Sequence, residues 1–393
     1  MFRTVDHVAV VGAGVAGLAA AIRLADAGVR VDLYEARPGL NLSGSGITLQ
    51  GNALRIFDRL GIWEDLRAHG YPFEGLKLRA PGPDAAMVAD LPDVKTGGPD
   101  YPACMGMYRP DLARVMLARA EAVGVDLHFG SEVSGLEQTG ETVQLQVGKA
   151  GAVADTGDVA GPFDLVIGAD GLHSAVRSLI GIDVEPVRNG MGIWRVSVAR
   201  PPEVSSSELY YGGPVYIAGY TPTSESTIYA FLVEKAQERD ELTNDERVEV
   251  MIAESAAYGG PWNHIRRSLE TGDVEVNYTR FTSHLVPSAW NRGSTVIIGD
   301  AAHTCPPTIA QGAAQSLEDA SVLTELLLGN ATDDAPAGID DGLWAEFHAR
   351  RLPRAQAVVD ASAQLAQWQL DGDTEADSGR LIFDVARTMA EPA

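Results

Sequence analysis

The chain is poor in cysteine: among 393 residues, Cys104 and Cys305 are the only thiols. Two cysteines are too few for a disulfide-built scaffold, and neither they nor the histidines fall into a metal-ligand spacing. Lysine is almost as scarce (Lys77, Lys95, Lys149 and Lys235), so arginine carries nearly all the positive charge, a compositional bias rather than a functional signal. Acidic residues outnumber basic ones by 54 to 30, giving a net charge of -24. With no basic run or stripe, a nucleic-acid partner is excluded and an acidic membrane surface is disfavoured. No apolar stretch approaches the roughly 18 residues of a spanning helix. The apolar run near the start begins after Asp6 and His7 and is broken by glycines, so no signal peptide is expected and the expected location is cytoplasmic.

What is present suits a globular protein. Apolar residues make up 45% of the chain, and its length fits two closely packed domains. Val8 to Val11 is a short apolar run, the pattern of a buried parallel strand. Gly12-Ala13-Gly14-Val15-Ala16-Gly17 follows at once. Leu18 to Ala27 then reads as a helix stopped at Gly28, and Val29 to Tyr34 as a second strand ending at Glu35. Gly12 permits the tight turn, Gly14 lets a pyrophosphate approach the backbone, and Gly17 lets the helix pack on the sheet. The helix N-terminus offers N–H groups and a positive dipole end to phosphates. Glu35, 18 residues after Gly17, is placed to bind a ribose hydroxyl pair. The Gly pattern alone is weak, but strand, helix and acid together make it strong. The acid favours an unphosphorylated ribose, leaving NAD or FAD.

Two later motifs separate these. Leu165 to Ile167 reads as a buried strand running into Gly168-Ala169-Asp170-Gly171, with a helix near Ser174. Val296 to Ile298 runs into Gly299-Asp300-Ala301-Ala302-His303, followed by Pro306, Pro307 and a helix that starts near Gly312. An Asp at a strand end can accept hydrogen bonds from a polyol, and a Gly-rich helix start can present N–H groups to an electron-rich ring edge. Either Asp alone could simply cap a helix. Three strand-end motifs in one chain suit a ribityl chain and a flavin ring lying across the sheet.

These motifs, in this order, resemble those of the single-component, class A FAD-dependent aromatic monooxygenases, which include para-hydroxybenzoate, salicylate and 3-hydroxybenzoate hydroxylases. The segment Ser45 to Leu54 resembles the stretch beside the flavin, and Arg109 in Tyr108-Arg109-Pro110-Asp111-Leu112 resembles the FAD-contacting Arg. Ala310 and Ala314 depart from the family, where Gly or Asn is common. The resemblance implies an α/β fold: a Rossmann-like FAD-binding domain with an inserted antiparallel-sheet substrate domain and C-terminal helices. The expected divisions are an FAD-binding domain of residues 1–75, 101–187 and 286–330, a substrate domain of 76–100 and 188–285, and a helical region of 331–393. The implied cofactor-binding residues are Gly12, Gly14, Val15, Ala16, Gly17, Glu35, Ala36, Arg37, Arg109, Val133, Asp170, Asp300, Gly312 and Ala313. Asp170 would also serve the nicotinamide donor, and Asp300 would hold the ribityl chain. The implied cycle is reduction of FAD by NADH or NADPH, reaction with O2 to a flavin C4a-hydroperoxide, and hydroxylation of a small aromatic or heteroaromatic substrate.

Residues 188 to 285 change to period-two alternation with many aromatics, the pattern of antiparallel strands. Tyr211, Tyr216, Tyr220 and Phe231 are the candidate substrate-lining residues, although any one aromatic is more often core. Arg195, inside an apolar strand, needs a partner: a substrate anion or an internal acid. Arg195, His284 and Pro307 are the catalytic candidates, with His284 as a base for a phenol; His303 reads as structural. The tail reads as helices, with a Gly-, Pro- and Asp-rich loop from Asn330 to Asp341 and Leu343 to Leu370 interrupted at Pro353, and a homodimer is a further expectation. The rival readings are a tailoring oxygenase acting on a polycyclic or antibiotic-like substrate by epoxidation or Baeyer–Villiger chemistry, and a non-catalytic FAD-bound ligand-binding protein. A plain nicotinamide dehydrogenase leaves the motifs near 170 and 300 unexplained. No Trp-x-Trp-x-Ile-Pro segment supports a halogenase.

Overall fold

A computed structural model describes residues 4–40, 44–151, 157–329 and 339–393. Its centre is a six-stranded sheet in the order 291–292, 295–297, 165–168, 7–11, 30–35 and 126–129. The strand His7–Val11 is apolar and flanked on both sides by parallel neighbours, Leu165–Gly168 and Arg30–Glu35. Only the edge pair Asn291–Arg292 with Thr295–Ile297 is antiparallel. The register places Val11 beside Gly168 and Gly168 beside Ile297, so the three strand-end motifs leave the sheet along one edge. Open parallel sheets bind ligands at that edge.

The helix Val15–Asp26 follows the glycine turn and buries Leu18, Ala19, Ala20, Ala21 and Ile22 against the sheet. A three-stranded meander, Ser131–Thr139, Thr142–Lys149 and Asp158–Phe163, buries Val133, Val143 and Leu145 in the same core.

An eight-stranded sheet stands beside this body. Its order is 303–304, 277–285, 187–199, 227–235, 217–222, 207–211, 75–79 and 87–92. Alternation gives each of its strands two faces. Trp194, Val196, Tyr210, Tyr220 and Leu232 face a core closed by Tyr258 and the helices Asn244–Ser255 and Trp262–Thr271. Ile193, Arg195, Leu209, Ile217, Tyr229, Phe231 and Val233 lie on the other face, toward a cavity. A small sheet of Gly46–Gln50, Cys104–Tyr108 and Tyr71–Phe73 bridges the two large ones.

The expected α/β fold with C-terminal helices is the one observed. One local expectation fails. The helix Asp341–Asp371 runs through Pro353 without a break. Proline removes one hydrogen bond, but Phe347, Ala355, Val358 and Val359 are buried on either side of it, and this packing holds the helix together. The loop expected from Asn330 lies, up to residue 338, outside the described residues.

Candidate active site

A cavity of about 1190 Å³ runs between the six-stranded sheet's motif edge and the open face of the eight-stranded sheet. On the first wall the chain backbone makes the surface. Gly12 has φ +106, and a Cβ there would stand 2.4 Å from the Ala169 carbonyl oxygen. A Cβ on Gly17 would stand 2.0 Å from the Gly12 carbonyl oxygen. Both glycines are therefore required by close backbone approach. Gly14 differs: its nearest neighbour would be 4.0 Å away, so its missing side chain leaves open space on the cavity wall. It is also the N-cap of the first helix, and no side chain caps it. The helix N–H groups are left for a ligand. Glu35 lines the cavity and accepts hydrogen bonds from the Ala13 and Arg37 N–H groups, each at 2.9 Å.

Asp300 faces the cavity, and no side chain among the described residues bonds its carboxyl; burial raises its pKa. Its loop is anchored from behind. Asp319 Oδ2 accepts from the Gly299 N–H at 2.8 Å and pairs with His303 Nε2 at 2.7 Å, while its Oδ1 accepts from Arg351 Nε at 2.7 Å. Arg351 also donates to Glu318, which is held in turn by Arg354 and Asn52. Every charge in this buried network has an opposite partner, as burial of charge demands. His303 is thus structural, as expected.

Gly312 and Ala313 open the helix Gly312–Gly329 on the cavity, beside a turn of Pro307, Thr308, Ile309 and Ala310. Ala310 takes φ +53, the left-handed region where relatives with Gly would meet no steric cost. Val15, Ala16, Arg37, Arg109 and Pro307 all line the cavity.

Several expected site residues lie elsewhere. The Asp170 carboxylate accepts from Ser174 Oγ at 2.5 Å and the Val176 N–H at 3.0 Å, capping the short helix Ala175–Leu179; Ala169 and Gly171 line the cavity in its place. Val133 is committed to the core and Ala36 is solvent-exposed; neither reaches the cavity wall. His284 is buried behind the motif edge, its Nε2 3.3 Å from Arg177 Nη1. Burial and that guanidinium push its pKa down to about 4, so it is a neutral imidazole outside the cavity. Arg177 spans the two motif loops, donating to the Leu172 and Ala301 carbonyls. Tyr220 points into the opposite core, where its hydroxyl donates to Glu208 at 2.6 Å. Tyr216 packs at the sheet end without lining the cavity.

On the second wall the side chains make the surface. Tyr211 and Phe231 line it, joined by Tyr229, an aromatic of the same sheet that was not among the four candidates. The Tyr229 and Phe231 rings stack with centroids 5.2 Å apart. Gly46 makes room for them: a Cβ there would lie 2.3 Å from the Tyr229 ring. Arg195 donates to Thr279 Oγ1 at 2.7 Å and has no carboxylate partner among the described residues. Burial, and then the nearby Arg109, pull its pKa down to about 10.

The family model described as "FAD binding domain" matches residues 6–362 of this chain. The chain belongs to the FAD-dependent aromatic monooxygenases. It is 30% identical over 380 residues to a putative FAD-dependent monooxygenase, YetM, of Bacillus subtilis, covering 94% of this chain and 96% of that one. It is also 30% identical over 371 residues to 3-amino-4-hydroxybenzoate 2-monooxygenase of Streptomyces cremeus, covering 92% and 87%. Klebsiella pneumoniae HpxO in complex with FAD and uric acid shares the fold, with a TM-score of 0.80, 21% identity and coverage of 98% and 97%. The enzyme is a flavin-dependent monooxygenase, with FAD as its cofactor and NAD(P)H as electron donor. No helix among the described residues is long and apolar enough to cross a membrane. The residues present suit FAD: a glycine cradle that a Cβ would fill, an uncapped helix N-terminus, and an acid at the second strand end.

Proposed function

We propose that this monooxygenase hydroxylates a small aromatic or heteroaromatic ring whose anionic group is held by Arg195 and whose face rests on Tyr229 and Phe231. The carrying observation is the Arg195 guanidinium: a cation without a carboxylate partner among the described residues, on the aromatic wall opposite the dinucleotide edge. A desolvated cation without a counter-ion is costly, and an anionic substrate would supply one. The Streptomyces relative acts on a ring of this kind, an aminohydroxybenzoate.

Toward FAD, Gly12, Gly14, Val15, Ala16 and Gly17 would receive the pyrophosphate, and Glu35 with Arg37 the adenosine ribose. Arg109 and Asp300 would hold the ribityl region, and Gly312 and Ala313 the pyrimidine edge. Bound FAD supplies electron transfer from NADH or NADPH and activation of O2. The chain's own contribution is placement: Arg195 stabilises a carboxylate or phenolate, the apolar wall excludes water, and Pro307 shapes the turn between them. Asp170 contributes indirectly, by fixing the loop that carries Ala169 and Gly171. We also propose a cytoplasmic enzyme, in keeping with its two free thiols, and self-association at least to a homodimer, as one structural neighbour is described as tetrameric.

The test is oxygen incorporation into hydroxybenzoates by FAD-loaded enzyme with NADH or NADPH. Arg195→Gln should retain FAD while lowering kcat/KM for acids about a hundredfold. An unchanged KM in that variant would remove Arg195 from the substrate site.

A further inference from the structure

A second charged group faces the same cavity. Asp93 follows the edge strand Met87–Pro92 and is among the cavity-lining residues. Its side chain has one partner among the described residues, the Cys104 thiol, which donates to Oδ2 at 3.6 Å. A thiol is a weak donor, and the same thiol also lies 3.4 Å from Gln50 Oε1. Among the described residues no cation pairs with Asp93; the nearby Lys95 is taken by Glu74. Burial raises the Asp93 pKa, and Cys104, itself held as a thiol by burial, offsets this in part. A carboxyl so poorly satisfied inside a cavity is costly in the free enzyme.

Its position relative to Arg195 follows from the strand Gly46–Gln50. Thr48 and Gln50 both line the cavity, and residues i and i+2 share a face roughly 7 Å apart. Thr48 lies beside Tyr229, whose neighbours are Arg195 and Arg109. Gln50 reaches Cys104 on one side and the Ile309 carbonyl, at 3.5 Å, on the other. Thus the Arg195 corner lies at the level of Thr48, and the Asp93 corner at the level of Gln50, next to the turn that precedes Gly312.

We propose that Asp93 is a specificity-determining residue that accepts a hydrogen bond from an amino, ring N–H or hydroxyl group of the substrate, across the ring from the anionic group held by Arg195. The substrate class is then an aromatic acid with a donor substituent. This rests on the aromatic-acid reading above, and the experiment separates the two.

Binding to the oxidised, FAD-loaded enzyme is measured by perturbation of the flavin spectrum. The probes are benzoate, 3- and 4-aminobenzoate, 3- and 4-hydroxybenzoate, and 3- and 4-methylbenzoate. The wild type should bind its best amino or hydroxy acid about ten- to a hundredfold more tightly than benzoate. Asp93→Ala and Asp93→Val, which leave no acceptor, should bring that ratio to about one, leaving FAD content and the benzoate Kd unchanged. A ratio that survives in both variants overturns the proposal. If neither variant folds, the wild type still decides: 3- and 4-methylbenzoate approximate the hydroxy acids in size without their donor, and equal affinity within both pairs overturns it. A wild type that takes up FAD but binds no probe, benzoate included, refutes the aromatic-acid reading and this inference with it.

Discussion

Two walls face each other across the cavity, and they are made differently. The dinucleotide wall is backbone: Gly12, Gly14, the first turn of the helix from Val15, and the Ala169 and Gly171 flanks. Its shape depends on where side chains are missing. The substrate wall is side chain: Arg195, Tyr229, Phe231 and, at its far end, Asp93. A backbone wall has few workable sequences and suits one ligand throughout a family. A side-chain wall can change its ligand by substitution while the sheet beneath stays intact.

The largest break in this contrast comes from the backbone side. Gly12→Ala places a methyl against the Ala169 carbonyl in a left-handed conformation, and should cost more than about 3 kcal/mol and abolish FAD uptake. Gly14→Ala, with open space around it, should keep the Tm of the FAD-free wild type and lose FAD alone; thermal melts with FAD stoichiometry check both.

The next effect lies behind the same wall. His284 has a folded pKa of about 4 against an ordinary 6.5. Between these values the unfolded chain binds the proton and the folded chain does not. Stability therefore falls as pH drops from 6.5 to 4, by about 2–3 kcal/mol at most. Denaturant titrations across that range should show the loss, and His284→Gln should flatten this part of it.

The smallest effects separate the two faces of the eight-stranded sheet. Tyr220→Phe removes the bond to Glu208 and should cost about 1 kcal/mol without altering KM. Tyr229→Phe should do the reverse, raising KM several-fold at unchanged Tm. Equal kinetic effects from the two would contradict the division of faces.

The same difference in material sets what the sequence alone reveals. The turn from Gly12 to Gly17, Glu35, and the strand ends before Asp170 and Asp300 were readable because a backbone cradle restricts the residues that can build it. Asp170 was located but its use was not: a strand-end Asp followed by Ser174 serves equally well as a helix cap, and only the bonds to Ser174 and Val176 decide. On the sheet, the aromatic residues were visible as a set, but their faces were not. The signal was present in the alternation. Arg195 pairs with Phe231, Ser197 with Tyr229, and Phe231 with Gly219, so counting in twos from Arg195 selects Tyr229 and rejects Tyr220. His284 misled because a histidine beside a motif looks reactive until its burial is known. Asp93 had no local signal at all, since its importance comes from a chain crossing that composition does not record.

The order of the central sheet also bears on how the enzyme is made. The strand that launches the glycine turn is completed by Leu165–Gly168, which is completed by Thr295–Ile297, and the loop after that is anchored through Asp319 to Arg351. A ribosome emits these pieces from first to last. The dinucleotide turn emerges long before its anchors, so FAD capture must wait until Arg351 has been made. A nascent chain stalled before Arg351 would therefore leave the ribosome colourless.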